Sequence, residues 1–508
     1  GLEVLRQARA LAGFDEDVGN TWLMLEQQLG DRRLAQRMRE NRYRIAPGDA
    51  ENAVALATIL ALSAPDRDDI VSENGRAVYT ENQWNAMDAP SRNRELDRVR
   101  EDWRKRAETI YTDVLARDPG NLDAANSFAG LLRAMGRLAD AERVLAQAVE
   151  KAGTNAGWRG LVMLAQLQIV VGAEDRARAS LDAAVARQDP KTKPAARAAV
   201  DMLMGIERFP LALTYLEPLA AEDGTPAIRM RLAECLLRVN RNADARKVFD
   251  AAVAAGPREI GAELLDGAIY TALGDEYRGK GETDKARAEY EKAIPPYQRA
   301  KQLAPGIPQP FIQDAMLKRK LFEITGDRTR GEEALASADR ASSIGATFFP
   351  AAAVRSEVLI VLGDLNGAVA ELERYLRIVP TAVDARRRLV DLLYSNKQFD
   401  RAEEALRAAI GYAPGEPAWH FTLGDLLAQR GRLPEAAASY ARADALRPDA
   451  ATFFRQLDTL IRAREFRGAI DASRARGELV RDNAVARAYL GAALVAIGEK
   501  GDGVSTLR

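Results

Sequence analysis

Apolar residues recur along most of this chain at helical spacing, in short stripes broken by Gly, Asn or Pro. Between Phe349 and Ala450 the pattern also repeats as a block, every 34 residues. Pro380, Pro414 and Pro448 fall at that interval, as do Ala368, Ala402 and Ala436, and Leu359, Leu393 and Leu427. The third copy, "PAWHFTLGDLLAQRGRLPEAAASYARADALRPDA", predicts a helix, a turn at Gly431, a second helix and a stop at Pro448. With Pro448 as position 32, Gly424 is position 8, Asp425 position 9, Ala436 position 20, Tyr440 position 24 and Ala443 position 27.

Each recurring position has a physical reason. Small residues at 8, 20 and 27 let two helices approach to roughly 8–10 Å between axes. Large residues at 4, 7, 11 and 24 fill the remaining space. Proline at 32 closes the second helix, because it lacks an amide proton and disfavours helix in the residue before it. One such hairpin cannot bury its apolar face alone, so the units must stack. Trp419 at position 3 and His420 at position 4 depart from the pattern of the other copies.

These residues resemble the tetratricopeptide repeat (TPR), a pair of antiparallel helices of this period. The resemblance implies an all-α, right-handed superhelical α-solenoid of about twelve stacked helix-turn-helix repeats, running as a single array through 1–508. The first full repeat carries Trp22, Gly30, Ala35 and Pro47. The second is interrupted. Its first helix holds Leu56 and Ala57, its second Ala107, Tyr111 and Pro119, and an insertion over 65–100 separates them. The insertion carries Ile70, Tyr79, Trp84 and Met87, and its part from Ser91 reads as a backward extension of the second helix. Four further repeats turn at Gly136, Gly172, Glu207 and Asn240. The seventh carries Gly274, Tyr277, Gly281, Ala286, Tyr290 and Ala293, then repeats its ending seven residues later with Tyr297, Ala300 and Pro305. Residues 294–311 are therefore expected to be an irregular helix extension, either kinked at Pro295 and Pro296 or broken there.

Length and charge narrow the function. A chain of 508 residues with 73 basic and 74 acidic residues has a formal net charge of −1, so no global field draws it to nucleic acid or an anionic membrane. The longest apolar run, "AVALATILALSA", is about half the length of a spanning helix. One cysteine, Cys235, and one histidine, His420, allow no disulfide framework and no cysteine/histidine zinc site. No phosphate loop or catalytic constellation is present, so neither catalysis nor a cofactor or metal is expected. The arginines of "SRNRELDRVREDWRKRAE" interleave with acids such as Asp102, four residues before Arg106, and read as a solvated helix. The chain opens and stops inside helices, which reads as a piece of a longer bacterial protein of the cytoplasm or periplasm.

A scaffold that binds a protein or peptide is the reading that remains. The resemblance places ligands in a concave groove lined by first-helix positions 2, 5, 9 and 12. The family's clamp for an acidic C-terminus, Lys and Asn at positions 5 and 9, is absent; Arg387 and Asp391 stand there in the tenth repeat. Tyr394 and Phe421 lie on the same face. From the fifth to the eleventh repeat position 9 reads Asp201, Glu234, Asp275, Glu323, Glu357, Asp391 and Asp425. Two readings stay open. The acids form a track for a basic partner, or they are ordinary polar residues paired locally, Asp201 with Arg197 and Asp391 with Arg387. The insertion residues Ile70, Tyr79, Trp84 and Met87 are a second candidate surface, for a partner or for self-association. The alternative function is the repeat arm of a larger machine, such as a polysaccharide exporter of the outer membrane or a glycosyltransferase.

Overall fold

The computed structural model describes residues 32–65, 69, 79–254 and 259–507. Residues 1–31, with Trp22 and Gly30 of the first expected repeat, and Ile70 of the insertion lie outside the described residues. The chain divides into two compact units, Gly1–Val239 and Asn240–Arg508. Each is a run of antiparallel helix pairs stacked on their sequence neighbours, an α-solenoid.

In the first unit, helix Ala50–Leu62 packs against Ala89–Arg117, Leu122–Ala134 against Leu138–Ala152, Gly157–Val170 against Glu174–Ala186, and Pro194–Gly205 against Phe209–Glu222. Alanine at position 20 is fully enclosed in each pair: Ala107, Ala141, Ala177 and Ala212. Within the insertion a short helix, Glu81–Ala86, starts at a Thr80–Gln83 capping box. Asp88 then caps one unbroken 29-residue helix, Ala89–Arg117, whose first turns precede the repeat's own second helix. Its charges are largely used within the chain. Arg100 bridges Asp97, Arg98 bridges Glu95, and Arg106 reaches Glu40 at 2.7 Å rather than Asp102.

The second unit opens on helix Asn242–Val253, followed by two long pairs, Ile260–Gly279 with Thr283–Leu303 and Pro308–Thr325 with Arg328–Ile344. Helix Thr283–Leu303 runs unbroken through Pro295 and Pro296. The duplicated ending has a counterpart on the facing helix. Tyr290 packs on Gly274, and Tyr297 packs on Gly267, seven residues earlier. A Cβ at either glycine would lie 2.4 Å from the ring. Seven residues are two helical turns, so both helices of this hairpin are lengthened together.

The three regular copies follow as Phe349–Val361 with Leu365–Ile378, Val383–Ser395 with Phe399–Tyr412, and Pro417–Gln429 with Leu433–Leu446. Ala368, Ala402 and Ala436 are fully enclosed. The turn residue adopts a left-handed backbone whatever its identity: Gly363 and Gly431, but also Lys397. That conformation lets the amide of Gln398 bond the carbonyl of Leu393 and the amide of Arg432 that of Leu427, closing each first helix with a six-residue loop. Trp419, not His420, fills the core at the start of its repeat; His420 is half-exposed near the Pro414 carbonyl.

Successive hairpins of the second unit also meet through buried carboxylates that the repeat pattern does not announce. Glu371 accepts from Arg374 (2.7 and 2.9 Å), Arg355 (2.9 Å) and Ser342 (2.7 Å). Glu403 accepts from Arg430 (2.6 Å) and Arg432 (2.7 Å) of the next hairpin. Asp314 is held by Lys301, Lys318 and Ser337. Each has its charge matched inside the seam, which is the condition for burying a carboxylate at all.

Candidate functional site

The position-9 acids share a register but not an environment. Where position 24 is tyrosine, its phenol turns back to position 9 of the same hairpin. Tyr290 donates to Asp275 and Tyr440 to Asp425, both at 2.6 Å, and Tyr111 meets Thr58 at 2.9 Å in the first unit. Burial first, and then the neighbouring carboxylate, push the Tyr290 and Tyr440 phenols well above the usual tyrosine range, so both remain donors. Where position 24 is Leu or Phe no such tether exists, and the acid looks to its surroundings.

Those surroundings differ from the local pairs expected. Asp201 is bridged by Arg231, while Arg197 goes to Asp223. No ion pair joins Asp391 to Arg387 among the described residues. Side chains one helical turn apart can meet, but a cation of the following hairpin approaches more closely. Asp275 also receives Lys320 at 2.5 and 2.7 Å, and Glu357 receives Arg388 at 2.7 Å. Glu323 is held by Arg319 (2.5 Å) and Arg278 (3.0 Å). Glu234 and Asp391 are exposed. Beside Glu234, burial raises the Cys235 thiol to about 11, which leaves it protonated and unreactive.

One groove gathers the candidate residues of the ninth and tenth repeats. It encloses about 640 Å³ between helices Phe349–Val361 and Val383–Ser395. Phe349, Ile360, Leu365 and Leu392 supply the apolar lining; Asp384, Arg387, Arg388, Asp391 and Ser395 supply the polar one. These include positions 2, 5 and 9 of one repeat and position 12 of the repeat before. Tyr394 is turned aside, edge-on to Phe399 at 5.7 Å with its hydroxyl on Gln429. Phe421 lines a second groove of about 490 Å³ with Pro417, Ala418, Thr422, Arg447 and Thr452, and packs edge-on against Tyr440 at 5.6 Å.

In the insertion, Trp84 is 5% exposed, so its indole is a packing group rather than a presented one. Arg92 lies 5.9 Å over that ring and donates to the carbonyls of Trp84 (3.0 Å) and Asn85 (2.9 Å). Tyr79 and Met87 are half-buried. The candidate residues are thus not one surface: the groove at 349–395 brings together Glu357's partner Arg388, Arg387 and Asp391, and leaves the others apart.

Tetratricopeptide-repeat family matches cover residues 104–162, 197–260, 267–294, 354–417 and 387–451. This chain is a tetratricopeptide-repeat protein. Its hairpins therefore have the architecture of a protein-interaction scaffold. The crystal structure of yeast Tom70 is similar at 13% identity over 80% of this chain and 88% of that one, with a TM-score of 0.32. Two crystal structures of MamA are similar at 20% identity, over 34% and 36% of this chain and 94% and 91% of theirs, each with a TM-score of 0.24. No curated protein matches the chain. No helix among the described residues of this TPR chain is long and apolar enough to cross a membrane.

Proposed function

We propose that this chain holds a protein partner by seating a segment of it in the groove between helices Phe349–Val361 and Val383–Ser395. One observation carries the reading: the groove combines an apolar lining with charged side chains, Asp384, Arg387 and Asp391, that have no ion-pair partner among the described residues. Glu357, Glu371 and Glu403 of the same unit are, by contrast, matched within the chain. An apolar lining gains from excluding water, and the charged rim fixes orientation and register.

The test begins with random dodecapeptides displayed on phage and selected against the whole chain. Selected peptides are then measured by fluorescence anisotropy against the native protein and Ile360→Asp. Ile360 is 37% exposed, so a carboxylate there is tolerated by the fold but spoils the apolar lining. Binding that falls by about tenfold or more, with melting unchanged, supports the groove. Peptides that bind Ile360→Asp as well as they bind the native chain place the binding surface elsewhere.

A further inference from the structure

Three of the position-9 acids share one pairing that the register exposes. Asp201 is bridged by Arg231, Asp275 by Lys320 and Glu357 by Arg388. Each of these cations stands three residues before the position-9 acid of the following repeat, Glu234, Glu323 and Asp391 in turn. It therefore occupies position 6. The stacking of two hairpins thus builds a cation place beside these three carboxylates, filled by the next repeat.

Asp391 lacks such a cation, as do Glu234 and Glu323, whose following repeats carry Ala272 and Val354 at position 6; Glu323 is held instead by Arg319 and Arg278. The residue three before Asp425 is Thr422, whose hydroxyl donates to the carbonyl of Ala418 at 2.9 Å. No hydrogen bond or ion pair reaches the Asp391 carboxylate among the described residues. It stands exposed on the rim of the groove, with Asp384 on the same lining. Arg388 of that lining is already committed to Glu357, which leaves Arg387 against two open carboxylates.

From this we infer that the partner segment carries an arginine or lysine beside an apolar residue. Its cation seats on Asp391, in the place that the position-6 base fills in other repeats. The aliphatic stem of either side chain lies along Leu392, and the adjoining apolar residue enters between Phe349 and Ile360. The inference rests on the groove-binding reading above and narrows its ligand to one charge type. An acidic segment is disfavoured by Asp384 and Asp391 together.

Peptides selected as above are synthesised with fluorescein and measured at salt from about 0.05 M to about 0.3 M. Enrichment in Arg or Lys next to an apolar residue is expected, with binding weakened by salt. Asp391→Asn and Thr422→Arg are each expected to weaken the best peptide by roughly tenfold or more. The second supplies the missing cation from within the chain. Asp425→Asn leaves binding unchanged, because that carboxylate lies outside the groove lining. Asp391→Asn is isosteric at an exposed site and decides the matter alone should Thr422→Arg fail to fold. Peptides without basic enrichment, or with affinities indifferent to Asp391→Asn, overturn the inference and leave groove binding standing. A failure to select any peptide, or full binding to Ile360→Asp, overturns the groove reading and the inference with it.

Discussion

Two kinds of hairpin share the 34-residue frame and solve the same packing problem in opposite ways. In hairpin 417–446 glycine at position 8 faces tyrosine at position 24, and a Cβ on Gly424 would lie 2.7 Å from the Tyr440 ring. In hairpin 383–412 the same positions hold Val390 and Leu406, both buried. The volume moves from one helix to the other while close packing is kept. The chemical consequence is larger than the packing one. Only the tyrosine hairpin has a phenol to occupy its own position-9 carboxylate, so Asp425 is tied and Asp391 is open. A residue chosen to fill space thereby decides which acid faces the groove.

Both kinds are locked to their neighbours on the second-helix side, and the largest expected effects lie there. Glu371 is 1% exposed and receives two arginines and a serine. Glu371→Ala leaves those donors without their acceptor and should cost about 3–5 kcal/mol. Hydrogen exchange should rise in hairpins 308–344 and 349–378 before it rises elsewhere, since each repeat leans on its neighbours. Burial acts to raise the Glu371 carboxyl, but the bonds from Arg374 and Ser342 prevail and hold it below the ordinary glutamate value. A depressed folded value contributes stability that is complete above about pH 4.3 and is lost as pH falls through the folded value. Acid melting followed at these hairpins should accordingly show loss below about pH 4 and none between pH 6 and 8. A native seam that loses no more stability between pH 6 and acid pH than the Glu371→Ala protein does contradicts this.

The comparison itself can be broken by exchange. Gly424→Val drives a side chain into the Tyr440 ring and should cost roughly 1–3 kcal/mol. Adding Tyr440→Leu rebuilds the packing of hairpin 383–412 and should recover a large part of that loss. A double-mutant cycle from urea titrations measures the coupling, expected on the order of 1–2 kcal/mol. Additive losses from the two changes would show that positions 8 and 24 are not reciprocal.

Much of this architecture is legible in the sequence, and the reason is its period. Gly274 with Tyr290, the buried alanines at position 20 and the left-handed turns at Glu207 and Asn240 all stand where the 34-residue frame puts them. The site is less legible, because its partners are a repeat away. A single helix keeps its ion pairs one turn apart, which points to Arg197 and Arg387 as partners of the acids. The cations that matter, Arg231, Lys320 and Arg388, belong to the next hairpin. Their signal is present in the register, as a base three residues before position 9. Glu371 and Glu403 gave no comparable sign, since their arginines recur at no single position. The repeat does not require Trp84, which makes it look like a presented aromatic; its burial follows from Arg92 and the insertion's own helices, which no period encodes.

Tyr440→Phe isolates the tether from the packing. The ring and its contact with Gly424 remain, and only the bond to Asp425 is lost. Asp425 is half-exposed, so water replaces the phenol and the cost should be about 1 kcal/mol or less. The tyrosine hairpin then acquires an open carboxylate like that of its neighbour. Basic peptides that bind the native chain should bind the variant equally or slightly better. Weaker binding would mean that the tether shapes the groove rather than merely occupying the acid.

The smallest effect expected is at the turn, where hairpin 383–412 differs from the two regular copies beside it by one residue. Gly431 and Gly281 turn the tyrosine hairpins with φ of 75° and 77°, whereas hairpin 383–412 turns on Lys397 with φ of 57°. A side chain in that region crowds its Cβ against the following carbonyl, at a cost of roughly 1–2 kcal/mol relative to a right-handed backbone. Glycine avoids the crowding but loses more conformational freedom on folding, by about 0.5–1 kcal/mol. The two terms oppose, and the steric one is larger. Lys397→Gly should therefore stabilise hairpin 383–412 by a few tenths to about 1 kcal/mol, read as slower hydrogen exchange there. Because Lys397 lies at the turn and outside the groove lining, peptide affinity should not change. A loss of stability would mean that the lysine side chain contributes to the turn, and that hairpin 383–412 differs from its neighbours there by more than backbone strain.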